Sequence, residues 1–166
     1  MDNDHAGNLL TWRYHTGIII FVNDSPIIWY RKLQNTVESS SFGSEFIALR
    51  IENVMIEGLR YKLHMFGVPI NGPADVFCDN KSFVTNISIS LSVLNKKHNS
   101  ICYHRVRAAH TAGTLRVGWI SGEHNIADIG TKTTIPTKIR YKLLNSIFNE
   151  KVSTITKKSH EYDGEM

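Results

Sequence analysis

Four acidic residues stand where the sequence predicts that a strand ends or a helix begins. These residues are Asp2, Glu45, Asp79 and Asp128. In an α/β domain, strand ends at one edge of the sheet surround the crevice in which such domains bind ligands. Carboxylates gathered in one crevice repel each other unless divalent cations neutralise them. Because no paired cysteines or histidines accompany them, these oxygen ligands favour Mg²⁺ or Mn²⁺ over Zn²⁺.

Each acid also has a structural explanation when it is considered alone. Glu45 can complement the positive N-terminus of a helix, and Asp79 can cap the helix that follows it. Asp128 can be a solvated surface residue, and Asp2 a disordered terminal one. As a set they support a different interpretation, because a two-ion carboxylate site that faces a basic surface is suited to hydrolysing a phosphodiester.

Hydrophobic runs and turn residues predict the elements that position these acids. The predicted strands are 17–22, 26–30, 74–78 and 114–120. The predicted helices are 42–66, 81–89, 99–111 and 125–131, and Gly67-Val68-Pro69 ends the first of them. This order indicates an α/β domain with a mixed sheet. Trp29 and Trp119 lie in strand patterns, so both are expected in the core.

The composition is typical of one globular domain. The chain has 166 residues, of which 42% are hydrophobic and 20% charged, so disorder throughout is not expected. The apolar runs are far shorter than the roughly 20 residues of a membrane-spanning helix, and Cys78 and Cys102 form no disulfide framework. We expect a domain at 1–135, an added helix at 136–149 and a polar, disordered tail at 150–166.

Positive charge is concentrated in the second half of the chain. The formal net charge is +4, yet residues 80–149 contain ten Lys and Arg against two acids, Glu123 and Asp128. Such a region is the expected footprint of a polyanion partner. A basic surface that serves only solubility has the same composition, so charge alone leaves both interpretations open.

Several short segments carry a more specific pattern. They are Asp2-Asn3-Asp4-His5-Ala6-Gly7-Asn8, Thr16-Gly17 to Trp29, Ser39 to Leu49, Cys78-Asp79-Asn80-Lys81-Ser82, Lys97-His98…Tyr103-His104…Val106-Arg107 and Ala127-Asp128-Ile129-Gly130-Thr131-Lys132. In order and spacing, over roughly residues 1–135, they resemble the ribonuclease H (RNase H) domain of copia-type (Pseudoviridae) LTR retrotransposon polyproteins.

This resemblance implies an RNase H-like fold, in which helices flank a mixed five-stranded sheet. It also implies two Mg²⁺ or Mn²⁺ ions and cleavage of the RNA strand of RNA–DNA hybrids during reverse transcription. The matched metal-ligand positions are Asp2, Glu45, Asp79 and Asp128. Asp4 replaces Asp2 if the register is displaced by two residues. His124 matches a loop position where related enzymes carry a histidine that aids proton transfer or product release.

The implied partners are an RNA–DNA hybrid and a reverse transcriptase segment upstream in the same polyprotein. Hybrid recognition depends on backbone shape and 2′-hydroxyls, so basic side chains are expected to contact phosphates. The candidates are Lys96, Lys97, Arg105, Arg107 and Arg116. The family acts in cytoplasmic virus-like particles, with the nucleus as a second expected location.

The beginning of the chain departs from the family pattern. The family's first strand starts upstream of the first Asp and forms the middle of the sheet, whereas this chain starts at Met1-Asp2. We therefore expect that strand to be largely missing and Asp2 to be loosely held. The alternative to an active ribonuclease is a catalytically inactive retrotransposon remnant with residual nucleic-acid binding.

Overall fold

A computed structural model describes residues 13–37, 40–88, 100–132 and 135–148, together with the backbone of residues 2–4. Strands and helices alternate through these residues, so the predicted mixed α/β class is confirmed. The strands are β1 Asp2–Asp4, β2 His15–Val22, β3 Ser25–Leu33, β4 Ala74–Cys78 and β5 Leu115–Trp119. The helices are α1 Ser41–Met65, α2 Lys81–Ser88, α3 Ser100–Thr111, α4 Asp128–Thr131 and α5 Thr137–Phe148.

The end of α1 and the location of α5 both follow the sequence pattern. α1 ends at Met65, where Gly67 adopts a φ of +74° and the Val68 N–H donates to the Leu63 carbonyl at 3.0 Å. This is the stop predicted from the glycine, because glycine enters left-handed backbone without strain. α5 falls within the range 136–149, for which the sequence indicates a helix. Residues 150–166 lie outside the described part of the chain.

The described strands form two small sheets. β2 pairs antiparallel with both β1 and β3, while β4 and β5 form a separate parallel pair. The single five-stranded sheet implied by the family resemblance is therefore not formed by the described residues. The three described residues of β1 pair with His15–Gly17 at one end of β2.

An aromatic cluster holds α1, α2 and α3 together. Phe46 of α1 makes edge-to-face contacts with Phe83 of α2 and Tyr103 of α3, at ring-centroid distances of 4.6 and 5.4 Å. Such pairs each contribute about 0.5–1.5 kcal/mol beyond the burial of their area. Because Phe46 directly follows Glu45, this cluster also fixes the first turns of α1.

The prediction that Trp29 lies in the core is wrong. Trp29 is 76% exposed, whereas its neighbours Ile28 and Tyr30 pack against the core. Successive side chains of a strand point to opposite faces, and β3 covers the core with only one of them. Trp119 is half-buried, and its indole has a specific partner described below.

Gly17 sets the distance between β2 and α4. A Cβ atom at this position would lie 2.5 Å from Thr131 Cγ2 and 3.0 Å from the Ala127 carbonyl oxygen. Only a residue without a side chain permits this approach. Gly17 therefore brings α4, which carries Asp128, directly against the first sheet.

We expect Gly17→Ala to lower the free energy of unfolding by about 1–3 kcal/mol, because the added methyl group overpacks a contact with backbone atoms. The matched control is Gly58→Ala in α1, where no atom lies within 4 Å of the added methyl group. That change is expected to raise stability by about 0.5–1 kcal/mol. Urea unfolding of both variants measures the difference. A Gly17→Ala variant as stable as the parent would contradict the close packing.

Candidate metal centre

The structure brings Glu45 and Asp79 together beside Cys78. One ligand atom from each of the three side chains lies within 4.8 Å of the other two. Glu45 and Cys78 are buried, and Asp79 is partly exposed. Two of the four predicted acids therefore share one site, where β4 ends and α1 begins.

Glu45 is positioned by a well-anchored first turn of α1. The Ser40 hydroxyl caps the helix by accepting a hydrogen bond from the Gly43 N–H at 3.3 Å. Gln34, which is 4% exposed, donates from its amide nitrogen to the Ser44 carbonyl at 3.0 Å and to Thr16 Oγ1 at 2.9 Å. These bonds tie the turn that precedes Glu45 to β2 and to the end of β3.

Asp79 is positioned by contacts of its backbone and its neighbours. The Trp119 indole N–H donates to the Asp79 carbonyl at 3.0 Å. Asn80 Oδ1 accepts a hydrogen bond from the Phe83 N–H at 3.1 Å, as a helix cap does. Asn80 therefore caps α2, and the alternative explanation of Asp79 as the cap is wrong. The roles of Trp119 and Gln34 are not evident from the sequence, because each depends on a partner far away along the chain.

Cys78 acts in this site as a neutral hydrogen-bond donor. Its thiol donates to Glu45 Oε2 at 3.6 Å. Burial, followed by the nearby negative charge of Glu45, raises the pKa of the thiol well above its usual value. In the absence of a bound cation, the thiol therefore stays protonated at neutral pH. Two of the three ligand atoms are carboxylate oxygens, the donors that Mg²⁺ and Mn²⁺ prefer, and Cys78 adds a sulfur atom to the same group.

Asp128 is buried in the first turn of α4. It is 5% exposed, and Lys132 Nζ lies 2.5 Å from its Oδ2, so the pair is held one helical turn apart. The interpretation of Asp128 as a solvated surface residue is therefore wrong. Within the described ranges, the cluster of Glu45, Cys78 and Asp79 does not include Asp128.

The backbone of β1 runs between the elements that carry Glu45 and Asp128. Asp2 pairs with Gly17, and Asp4 pairs with His15. β1 lies next to both α1 and α4. The side chains of Asp2 and Asp4 are outside the described part of the structure, so their assignment as alternative first ligands stays a prediction.

His124 ends a 3₁₀ turn, Gly122–His124, whose first residue lies near the Asp79 carboxylate. A Cβ atom on Gly122 would come within 3.5 Å of Asp79 Oδ2, so the turn passes directly over that oxygen. The His124 side chain is half-buried. Its part in proton transfer or product release stays a prediction.

The described basic candidates each have a partner within the chain. Arg105 pairs with Glu57 at 3.1 Å, and Arg116 pairs across the β4–β5 ladder with Asp75 at 2.7 Å. Hydrogen bonding to Asp75 raises the pKa of Arg116. Both ion pairs are substantially exposed, and such pairs contribute little net stability, so a phosphate can replace the carboxylate at small cost.

The third described candidate, Arg107, stacks on an aromatic ring. Its guanidinium lies 5.2 Å from the centroid of the Tyr103 ring and donates to the Tyr103 hydroxyl at 2.5 Å. Lys96 and Lys97 lie outside the described residues, so their assignment as phosphate contacts stays a prediction.

The chain is similar to retrovirus-related Pol polyproteins of plant transposons. Over 131 residues it is 27% identical to the polyprotein from transposon RE2 and 28% identical to that from transposon RE1, both of Arabidopsis thaliana. It is 29% identical over 131 residues to the polyprotein from transposon TNT 1-94 of Nicotiana tabacum. These matches cover 79% of this chain and 9–10% of each relative.

The chain thus spans about a tenth of the length of the curated relatives it matches. No protein-family model matches it, and no solved structure does either. Among the described residues, no helix has both the length and the apolar character needed to cross a membrane. The comparisons therefore establish a relationship to transposon Pol polyproteins.

We expect Mg²⁺ to stabilise the chain through Glu45 and Asp79. At a concentration about 100 times its Kd, the cation should raise the free energy of unfolding by about 2.7 kcal/mol. Glu45→Gln should abolish most of this gain. Without Mg²⁺, the same variant should be at least as stable as the parent, because one of two neighbouring negative charges is gone.

Thermal and urea unfolding with and without Mg²⁺ measure both effects. Glu57→Gln is the matched control, since Glu57 is an exposed glutamate on the same helix. It should keep the full response to Mg²⁺. A Glu45→Gln variant that responds to Mg²⁺ like the parent would contradict the assignment of this site.

Proposed function

We propose that the chain is a ribonuclease H segment of a copia-type retrotransposon Pol polyprotein, and that it hydrolyses the RNA strand of RNA–DNA hybrids. The observation that carries this proposal is the meeting of Glu45 and Asp79, which belong to separate motifs of the family pattern. The relationship to transposon Pol polyproteins supports it.

The proposed cofactor is a pair of Mg²⁺ or Mn²⁺ ions. Glu45 and Asp79 would hold them, with Asp128 and either Asp2 or Asp4 as the further ligands. Bound ions of this kind supply an activated water and stabilise the leaving 3′ oxygen of the phosphodiester. The two carboxylates support this choice, because carboxylate oxygens are the ligands that Mg²⁺ and Mn²⁺ prefer.

The chain's own side chains prepare this site before any substrate binds. The Cys78 thiol orients Glu45 by a hydrogen bond, and Lys132 balances the charge of the buried Asp128. We assign His124, on the turn beside Asp79, to the transfer of a proton or the release of product. Precise placement matters here, because a displacement of about 1 Å can reduce a rate by about 100-fold.

The proposed substrate is recognised through its backbone. A hybrid presents phosphates and 2′-hydroxyls in a shape that differs from that of duplex DNA. Arg105 and Arg116 are assigned to phosphates, because each can exchange an exposed carboxylate partner for a phosphate oxygen. Arg107, Lys96 and Lys97 complete the assigned set.

We expect Asp79→Asn to lower the rate of hybrid cleavage by at least about 100-fold, because it removes a metal ligand without changing the basic surface. The control is Asp24→Asn, an exposed aspartate in the turn between β2 and β3, which should cleave nearly as fast as the parent. The assay follows a hybrid labelled on both strands in the presence of Mg²⁺.

The products of that assay separate the alternatives. Cleavage of the RNA strand alone supports the proposed activity. A parent chain that binds the hybrid without cutting either strand would instead support the catalytically inactive remnant. Cleavage that survives Asp79→Asn unchanged would show that the proposed site is wrong.

The salt dependence of hybrid binding tests the basic surface. Each phosphate contact contributes to the slope of log K against log salt concentration, so Arg105→Ala and Arg116→Ala should each reduce the slope by about one unit. Arg60→Ala is the control, because Arg60 instead donates to the Gly72 carbonyl at 3.0 Å. Fluorescence anisotropy measures the slopes. The contradicting result is an unchanged slope in the variant that replaces Arg105, Arg107 and Arg116 by alanine. It would show that these side chains form only a solvated surface and contact no phosphate.

A further inference from the structure

A pocket lies between β3, the outer strand of the first sheet, and α1. It has a volume of about 380 Å³, which is within the range of small-molecule sites. β3 contributes Lys32 to its lining, and α1 contributes Ile47 and Arg50. Neither Glu45 nor Asp79 lines this pocket, and the proposed ribonuclease activity assigns no role to it.

The charged side chains of the pocket are all cationic. They are Lys32 and Arg50, and no Asp or Glu is among the residues that line it. Both residues are exposed, and within the described part of the chain neither forms an ion pair. They differ in this from Arg105 and Arg116, which hold carboxylates. Two cations from different elements, with no acid between them, are suited to an anion, and a guanidinium binds phosphate especially well.

A buried residue of the same pocket has an acceptor that lacks a donor. Gln34 lines the pocket, and its amide nitrogen donates to Thr16 and to the Ser44 carbonyl. The other end of this amide, Oε1, has no hydrogen-bond partner in the described structure. A buried acceptor left without a donor costs about 1–3 kcal/mol. A ligand that carries an N–H or O–H group beside an anion would supply the missing donor.

We propose that this pocket binds a nucleotide unit, in which a phosphate is joined to a sugar and a base. Lys32 and Arg50 bind the phosphate. A sugar hydroxyl or a base amino group donates to Gln34 Oε1. The half-buried Ile47 and Ile51 contact the rings, and such apolar walls distinguish this pocket from a site for a bare phosphate ion. A free nucleotide and a nucleic-acid strand both present this chemistry.

Adenosine 5′-monophosphate (AMP) is a suitable probe, and isothermal titration calorimetry measures its affinity for the full chain. The buffer contains no divalent cation, so the phosphate cannot bind through a metal at Glu45 and Asp79. Adenosine should bind at least about tenfold more weakly than AMP, because it lacks the anion. Methyl phosphate at about pH 8 carries the charge but no donor, so it should bind at least about fivefold more weakly than AMP.

Matched variants locate the bound phosphate. Lys32→Ala and Arg50→Ala should each weaken AMP binding at least about tenfold, because a charge-assisted hydrogen bond is lost. Arg31→Ala and Lys62→Ala are the controls. Arg31 points to the opposite face of β3 from Lys32, and Lys62 lies near the other end of α1 from the pocket. All four residues are exposed, so the variants are expected to fold, and both controls should keep the affinity of the parent.

Binding of an RNA–DNA hybrid distinguishes the two sources of the nucleotide. The variant that replaces both Lys32 and Arg50 by alanine loses one phosphate contact if the pocket holds a unit of a strand. The slope of log K against log salt concentration should then fall by about one unit. An unchanged slope, together with lost AMP binding, would make the ligand a free nucleotide.

Four results would overturn the inference. Three of them are equal affinities for AMP and adenosine, equal affinities for AMP and methyl phosphate, and AMP binding that survives replacement of both Lys32 and Arg50. The fourth is the absence of AMP binding together with an unchanged hybrid slope. Asp79→Asn should leave AMP affinity unchanged, and its loss would instead place the phosphate at the metal centre. Because AMP binding is measured without cleavage, failure of the proposed ribonuclease activity would not affect it.

Discussion

The close approach of the Glu45 and Asp79 carboxylates is the constraint on which the rest of the structure depends. Two negative groups within 4.8 Å of a shared thiol oppose folding unless other contacts hold them there. The Phe46 cluster and the Gln34 hydrogen bonds fix the helix that carries Glu45. The Trp119 indole fixes the strand end that carries Asp79. These contacts stabilise the fold enough to hold two carboxylates that repel each other.

A second set of contacts positions α4 against the first sheet. Gly17 lets this short helix approach β2 more closely than any side chain would allow. The buried Asp128 on α4 is neutralised by Lys132 one turn later. A buried charge is costly unless it is paired, and removal of one partner leaves the other uncompensated. Lys132 thus explains how Asp128 remains buried in the described structure.

The sequence was sufficient to predict the order of the helices and of the four longer strands, but not the short β1. It also led us to expect Glu45 close to Asp79, because strand ends converge at one edge of a sheet. It was not sufficient for features that depend on distant partners. Trp29 fits a strand pattern, but only the packing of β3 decides which face is solvated. The Gln34 and Trp119 hydrogen bonds have no local signal in the sequence. The residue that caps α2 is Asn80, one position after Asp79.

The central claim is that Glu45 and Asp79 hold a divalent cation. Anomalous scattering from a crystal of the chain grown with Mn²⁺ tests it most directly, because the signal reports the position of the metal without reference to any activity. We expect an anomalous peak in contact with carboxylate oxygens of both Glu45 and Asp79. A fully occupied peak elsewhere, or no peak at a Mn²⁺ concentration that stabilises the protein in solution, would contradict it.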